Sequence, residues 1–298
     1  MKILLLGANG QVGHALRFSL APLGEVVAAT RSGELEKGVA CERADLADAD
    51  ALTALVLRVA PDVVVNAAAH TAVDRAEDEP EPAFAINAHA PAVLAQACAN
   101  RDALLVHYST DYVFDGQGTR PYREDDPTAP LGVYGSSKLA GEQAIVASGC
   151  RHFIFRTAWV YGNHGANFMR TVLRVGATRD ELDVVADQVG TPTPATLIAE
   201  VTAHALGSGR ATSGTWHLTA TGQTSWHGFA EAIFEVAHAR GSIDRIPMVR
   251  PITTGQYPTR ARRPAYSCLD TRALRSDFGV ALPDWRSALE GVLAGRAA

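Results

Sequence analysis

The chain has 298 residues, of which 47% are hydrophobic and 20% charged, a balance typical of a globular protein with a core of its own. Its formal net charge of −5 argues against a nucleic-acid-binding protein, which usually carries a basic excess. The four cysteines lack zinc-site spacing, and no stretch resembles a signal peptide or membrane span, so we predict a cytoplasmic protein without a bound metal.

The first predicted elements are a buried strand, a glycine-rich turn and a helix. The strand covers residues 3–6, three glycines follow at three-residue intervals, and an amphipathic pattern continues beyond them. This is the context of a dinucleotide-binding turn, in which the backbone approaches a pyrophosphate at a helix N-terminus. The alternative is an ordinary glycine-rich turn. The residues predicted to bind cofactor here are Gly7, Gly10, Gln11, Val12 and Gly13.

The second predicted strand, residues 25–30, ends where a Rossmann unit discriminates between NADH and NADPH. A carboxylate at this point holds the ribose 2′-hydroxyl, whereas an arginine accommodates a 2′-phosphate. Arg31 and Ser32 follow the strand, without a carboxylate. We therefore predict NADPH as the cofactor, with NADH as an alternative if Arg31 is only a solvated loop cation.

Two later strand ends add to the predicted cofactor site. Asp45 and Leu46 close a short third strand, where the acid can reach an adenine amino group and the leucine can cover the ring. The fourth strand is followed by Ala67, Ala68 and Ala69, whose small side chains permit close approach of a cofactor. Tight helix packing is the alternative reason for these alanines.

The fifth predicted strand, residues 103–107, leads to Thr110 and Asp111 at the carboxyl end of the sheet. Ligands bind at that end in open α/β sheets, so both residues are candidates for contact with substrate. The alternative for Thr110 is a hydrogen bond that caps the strand end.

Tyr134 and Lys138 lie four residues apart in a segment predicted to be helical, so their side chains share one face. A nearby ammonium favours phenolate, which would lower the tyrosine pKa towards the working pH of a general acid. Lysine occurs only at positions 2, 37 and 138, although the chain has 27 lysines and arginines together. The pair alone is common on surface helices.

After a sixth strand at 152–156, the alternation of strands and helices loosens. Helices are predicted near 167–175, 196–206, 225–240 and 285–293, with short strands near 182–186 and 214–218. The predicted architecture is a Rossmann-type doubly wound parallel sheet with a smaller, interleaved C-terminal α/β substrate domain. Residues 1–160 would form the NAD(P)-binding domain, to which later segments could return, and residues 161–298 the substrate-binding domain.

The order of these motifs resembles that of the extended short-chain dehydrogenases/reductases and, more narrowly, of the dTDP-4-dehydrorhamnose reductase family. The runs that carry the narrower resemblance extend over almost the whole chain. They are Gly10–Gly13 (GQVG), Asn66–Asp74 (NAAAHTAVD), His107–Asp115 (HYSTDYVFD), Val133–Glu142 (VYGSSKLAGE), Phe155–Tyr161 (FRTAWVY), Asp187–Thr193 and Tyr257–Pro264.

The resemblance implies hydride transfer from NAD(P)H to the C4 keto group of dTDP-4-dehydro-L-rhamnose, which gives dTDP-L-rhamnose. Tyr134 would give a proton to the developing alkoxide, and Thr110 would hydrogen-bond the same oxygen. Lys138 would lower the pKa of Tyr134 and hold the nicotinamide ribose. These three residues form the expected catalytic set.

The resemblance also implies a nucleotide-sugar site. Family members place Asp111 and Trp159 against the sugar, although Trp159 could be a plain core residue. Arg262 or Arg263, or both, would suit a diphosphate because a guanidinium matches phosphate geometry. The alternative for these arginines is a role as surface cations.

Some family members form homodimers that are bridged by magnesium bound to glutamates. Ala15 and Thr196 occupy two of those ligand positions here, so a homodimer of this chain would not be expected to depend on magnesium. Two alternative functions stay open: another extended nucleotide-sugar epimerase or dehydratase, or a non-catalytic NADP-binding regulatory subunit. The intact catalytic set favours an active enzyme.

Overall fold

The computed structural model describes residues 1–210 and 212–295, apart from the side chain of Lys37. A seven-stranded parallel sheet in the order β3-β2-β1-β4-β5-β6-β11 forms its centre. The strands are β1 Lys2–Leu6, β2 Glu25–Thr30, β3 Glu42–Arg43, β4 Val63–Asn66, β5 Leu104–Thr110, β6 His152–Thr157, β7 Val160–Tyr161, β8 Glu181–Val185, β9 Val189–Gly190, β10 Thr193–Pro194, β11 Gly214–His217, β12 Thr224–Ser225 and β13 Met248–Ile252.

Helices cover both faces of this sheet, because its central strands are apolar on both sides and need protection from water. The helices are α1 Gln11–Ser19, α2 Ala49–Val59, α3 Val73–Asp78, α4 Pro80–Phe84, α5 Ala90–Ala99, α6 Val133–Ala147, α7 Phe168–Gly176, α8 Ala195–Gly207, α9 Trp226–Ala239, α10 Arg272–Phe278 and α11 Trp285–Leu293. One core cluster joins α1, α8 and α10 to the sheet, and a second joins α2, α5 and α6 to its other face. This confirms the predicted doubly wound Rossmann-type sheet.

Strand β11 and helices α8 and α10, all from the second half of the chain, return to the central sheet. Strand β11 pairs with β6 in parallel, and α8 packs against α1. A third core cluster draws on α7, α9, α11 and β8. The boundary near residue 160 stays a prediction. Among the described residues, no helix combines the length and apolar character needed to cross a membrane.

Most predicted elements are confirmed, with differences of a few residues at their ends. Strand β5 extends to Thr110 rather than ending at residue 107, because Ser109 and Thr110 pair with Arg156 and Thr157 of β6. The helix predicted over 82–100 is divided by a π-helical turn at Ala85–His89. Helices α3 and α10 were not predicted.

Candidate active site

The glycine turn after β1 has the close backbone contacts that its sequence predicts. Gly7 has a φ of +75°, and a Cβ built on it would lie 2.7 Å from the backbone nitrogen of Ala68. A Cβ on Gly13 would lie 2.0 Å from the Gly7 carbonyl oxygen. Helix α1 begins at Gln11 without a side-chain cap, so its first amides can receive an anion. These features fit a dinucleotide pyrophosphate.

The loop after β2 keeps Arg31 exposed. The buried Thr30 shapes this loop, since its hydroxyl accepts from the amides of Gly33 and Glu34 at 3.1 Å each. Ser32 is also exposed, with its Oγ 3.3 Å from the Thr30 hydroxyl. In the described part of the chain, the Arg31 guanidinium forms no ion pair. The cation that was predicted to accept a 2′-phosphate is therefore accessible.

Asp45 and Leu46 follow β3 after an interval of one residue. Asp45 is half-buried and its carboxylate accepts from the Ala47 amide at 3.0 Å, whereas Leu46 is 8% exposed and belongs to the core cluster beneath α2. Their predicted contact with adenine stays a prediction.

A buried polar chain runs from the end of β4 to Lys138. The Ala68 amide donates to Asn66 Oδ1 at 3.2 Å, and Asn66 Nδ2 lies 3.2 Å from His107 Nδ1. His107 Nε2 lies 3.1 Å from Lys138 Nζ, which also donates to the Tyr108 carbonyl at 2.6 Å. The alanines that touch the glycine turn are thereby connected to the predicted catalytic lysine. Ala69, the third predicted alanine, is exposed.

Burial governs the ionisation of the two titratable residues in this series of contacts, Lys138 and His107. It lowers the pKa of Lys138 to about 8, although the Glu142 charge raises it. Burial, and secondarily the Lys138 charge, holds the pKa of His107 well below its usual value. His107 is thus neutral at physiological pH. Neither His107 nor Asn66 was predicted as a functional residue, because the sequence does not show what lies beneath Lys138.

Tyr134 lies one helical turn before Lys138 on α6, and its ring packs edge-on against Tyr112 at 5.5 Å between centroids. Burial raises the pKa of Tyr134 to about 12; the Thr110 hydroxyl lowers it and the Asp111 charge raises it. The pKa is therefore raised, whereas the nearby ammonium of Lys138 was expected to lower it. The lysine nitrogen donates instead to the Tyr108 carbonyl of β5.

Thr110 brings Tyr134 and Asp111 together at the end of β5. Its hydroxyl donates to Asp111 Oδ1 at 3.0 Å and accepts from the Tyr112 amide at 3.2 Å. The backbone cap that was the alternative for Thr110 is therefore present, and the same hydroxyl also acts on Tyr134, whose pKa it lowers.

Asp111 is 2% exposed, and burial raises the pKa of its carboxyl to about 6, although the hydroxyls of Ser267 and Thr110 lower it. Its Oδ2 atom is buried and has no hydrogen-bond partner among the described residues. A carboxyl held in this way can change protonation near neutral pH. Ser267, on the loop before α10, was not predicted from the sequence.

Helix α6 is fixed from two sides. Glu142 and Arg156 form an ion pair with side chains 6% and 7% exposed, and the contacts are Nη2 to Oε2 at 2.7 Å and Nε to Oε1 at 3.0 Å. On the other side, Asn87 in the π-helical turn donates to Ser137 Oγ and to the His70 carbonyl, both at 3.0 Å. π-Helical turns often mark functional sites, and this one joins the loop after β4 to α6.

Trp159 has a backbone φ of +48°, which is uncommon for a residue with a side chain. Its indole stacks on Trp226 with 3.6 Å between ring centroids and an interplanar angle of 5°. Gly190 makes room for it, since a Cβ there would lie 2.4 Å from the indole. Trp159 is only half-buried, so an edge or face of the ring remains open. Sequence reasoning did not identify Trp226.

The two candidate diphosphate arginines differ in environment. Arg263 is half-buried and pairs with both carboxylate oxygens of Asp74, at 3.1 and 2.6 Å. This pair lowers the pKa of Asp74. Arg262 is exposed, and no ion pair involves it within the described ranges. Arg262 is therefore the freer of the two to meet a diphosphate.

A second cluster of titratable groups lies beside the glycine turn. Its ligand atoms, from His14, Glu36 and His164, lie within 4.8 Å of one another. The two imidazoles stack in parallel at 4.0 Å, His164 Nε2 donates to the Asn9 carbonyl, and Arg17 pairs with Glu36. Parallel rings cannot both direct a lone pair at one ion, so this arrangement ties the loop after β7 to the turn. The expectation of no bound metal stays a prediction.

The parallel sheet, the glycine turn and the Tyr-Lys pair together define the class of NAD(P)-binding short-chain dehydrogenases/reductases. The fold agrees with a solved Thermus thermophilus UDP-glucose 4-epimerase in complex with NAD, with a TM-score of 0.77 and 21% identity over 99% of this chain and 98% of that one. At that identity the likeness concerns the fold alone.

Within this class, the family model described as RmlD substrate binding domain matches residues 1–297. The chain is 49% identical to a dTDP-4-dehydrorhamnose reductase of Burkholderia thailandensis, over 97% of each chain. Two reductases of that name have solved structures with TM-scores of 0.89 and 99% coverage of both chains. One is from Clostridium acetobutylicum at 37% identity, and one from Bacillus anthracis, in complex with NADP, at 33%. The chain belongs to the dTDP-4-dehydrorhamnose reductase family of NAD(P)H-dependent oxidoreductases, which confirms the resemblance.

Proposed function

We propose that this protein reduces the C4 keto group of dTDP-4-dehydro-L-rhamnose to give dTDP-L-rhamnose, with NADPH as the preferred reductant and NADH as an alternative. The observation that carries the proposal is the convergence of Thr110, Tyr134 and Lys138 where β5 ends and α6 begins. Asn66 and Ala68 join that site to the glycine turn. Relatives across the whole chain carry the name of this activity.

The residues would divide the work according to their chemistry. A bound reduced nicotinamide would supply the hydride. Tyr134, whose pKa is raised to about 12, keeps its proton at neutral pH and can give it to the oxygen that gains charge. Once substrate is bound, the Thr110 hydroxyl would turn from Asp111 to donate to that oxygen and so stabilise it. Lys138 would hold the nicotinamide ribose.

Substrate recognition would come from the second half of the chain and the end of β5. Trp159 offers an aromatic surface to the sugar, and Asp111 offers a carboxyl to its hydroxyl groups. Arg262 would receive the diphosphate, while Arg263 would hold the loop in place through Asp74. Arg31 and Ser32 would accept the 2′-phosphate of NADPH.

The experiment that tests the proton donor compares Tyr134→Phe with Tyr108→Phe. The Tyr108 hydroxyl bonds to Thr202 of α8, so this control removes a buried hydroxyl elsewhere. Tyr134→Phe should lower kcat by roughly two to four orders of magnitude while NADPH still binds. The control should keep kcat within a few-fold of wild type. Full activity of Tyr134→Phe would exclude Tyr134 as the donor.

A further inference from the structure

The buried polar contacts that run from Asn66 to Lys138 also determine where the hydrogens lie, because each contact needs one donor and one acceptor. Asn66 is oriented by the Ala68 amide, which requires the amide oxygen of Asn66 to face it. The Asn66 NH2 group therefore faces His107 Nδ1, which must accept. His107 is 1% exposed and neutral, so its single proton lies on Nε2.

The proton on His107 Nε2 decides the state of Lys138. With Nε2 as donor, Lys138 Nζ at 3.1 Å must accept, and only the neutral amine has a lone pair. The amine keeps hydrogens to donate to the Tyr108 carbonyl at 2.6 Å. All four contacts are then satisfied at once.

An ammonium at Lys138 cannot be accommodated without loss. His107 Nε2 would have to accept, so Nδ1 would carry the proton and face the Asn66 NH2 group. The protonated Nδ1 and the NH2 group would then be two donors facing each other. Rotating the Asn66 amide would remove this donor-donor contact but create another, since the NH2 group would then face the Ala68 amide. One donor-donor contact therefore remains in either arrangement, at the buried Asn66–His107 contact or at the part-buried Ala68–Asn66 contact, and an unmet donor is costly where water is excluded.

We propose that His107 and Asn66 are positioning residues that favour the neutral amine of Lys138 and so set the pH at which this lysine loses its charge. Other charges near Lys138 are few. Glu142, on the next turn of α6, favours the ammonium, but its charge is paired with Arg156. Tyr134 lies one turn earlier and is neutral below its raised pKa.

The kinetic consequence rests on the proposed function. When Tyr134 gives up its proton, the ammonium form of Lys138 is the form that can stabilise the resulting phenolate. Reduction should therefore slow as pH rises through the titration of Lys138. The residues that favour the amine would set this alkaline limit.

The test is a pH titration of lysine Cε resonances by NMR on the full chain, which has only three lysines. Lys138→Met assigns the buried one. In wild type, its midpoint should lie near pH 8, as burial and the contacts above require. Asn66→Asp presents oxygen to both neighbours, and His107→Gln can turn its amide oxygen towards Lys138. Both should raise the midpoint by about one pH unit or more.

His152→Gln is the matched control, because this buried histidine bonds the Cys150 carbonyl and makes no contact with Lys138. It should leave the midpoint unchanged. The alkaline limb of the kcat profile should move upward with the midpoint in the two test variants. A wild-type midpoint above pH 10, or one that neither variant moves, would overturn the proposal. The NMR titration needs no substrate, so failure of the proposed reaction would appear only in the kinetics.

Discussion

The buried Glu142–Arg156 pair should be among the most expensive contacts to break in this protein. Replacing Glu142 by Leu would leave the Arg156 guanidinium, with 7% of its side chain exposed, without its three hydrogen bonds to carboxylate. Breaking a buried pair from one side costs about 3–5 kcal/mol, because the remaining charge loses its partner without regaining water. We expect Glu142→Leu to lower the free energy of unfolding by that amount.

Urea unfolding, followed by tryptophan fluorescence and circular dichroism, measures this change. The double variant Glu142→Leu with Arg156→Met should recover most of the loss, since apolar side chains can replace a buried pair at little cost. Arg58→Met is the surface control. Its guanidinium also meets a carboxylate through two contacts of 2.8 Å, but the side chain is 61% exposed, so stability should change far less.

The reasoning would be refuted if Glu142→Leu cost less than about 1 kcal/mol, or if the double variant were as unstable as the single one. A further consequence concerns activity. Helix α6 carries both Tyr134 and Lys138, so loosening it should lower kcat even under conditions in which the variant remains folded.

Three further changes test other parts of the site. Gly13→Ala places a Cβ 2.0 Å from the Gly7 carbonyl oxygen, so NADPH affinity measured by calorimetry should fall roughly tenfold or more. Gly291→Ala is the control, because a Cβ there meets no atom within 4 Å, and it should leave the NADPH affinity unchanged. Equal NADPH affinities of Gly13→Ala and wild type would contradict the close contact at Gly13. Arg31→Ala should lower the ratio of kcat/KM for NADPH to that for NADH by roughly ten- to hundredfold, since a charge-assisted hydrogen bond contributes about 1.5–3 kcal/mol. An unchanged ratio of kcat/KM for the two cofactors would mean that Arg31 is only a solvated loop cation and does not bind the 2′-phosphate. The pKa of Asp111 is about 6 in the folded protein against 3.8 without burial, so the folded state holds the proton more tightly and this carboxyl costs stability as pH rises. In urea unfolding, the stability of Asp111→Asn relative to wild type should therefore increase by up to roughly 3 kcal/mol between about pH 4 and pH 7. A difference that is independent of pH would contradict burial as the cause.

The sequence predicts the Rossmann half of the fold well because its signals are local. The glycine spacing after residue 6 requires a tight turn, and the apolar run before it requires a buried strand. Strand β2 is predicted with its observed bounds, Glu25–Thr30, as is helix α11, Trp285–Leu293. The place of β11 at the edge of the main sheet is not a local property, since it depends on which strand it meets.

The candidate site is predictable as a set of residues but not as a set of interactions. The spacing of Tyr134 and Lys138 indicates a shared helix face, yet not that the lysine nitrogen meets His107 and the Tyr108 carbonyl. The stacking of Trp159 on Trp226 likewise joins distant parts of the chain. Such partners depend on tertiary packing, which no spacing rule expresses.

The measurement that tests the central claim most directly is NADPH oxidation by the wild-type protein with enzymatically prepared dTDP-4-dehydro-L-rhamnose, with the product identified by NMR. The account predicts substrate-dependent oxidation and one equivalent of dTDP-L-rhamnose for each NADPH consumed. Tight binding of NADPH without substrate-dependent oxidation would contradict it and favour a cofactor-binding regulatory role or a different sugar nucleotide.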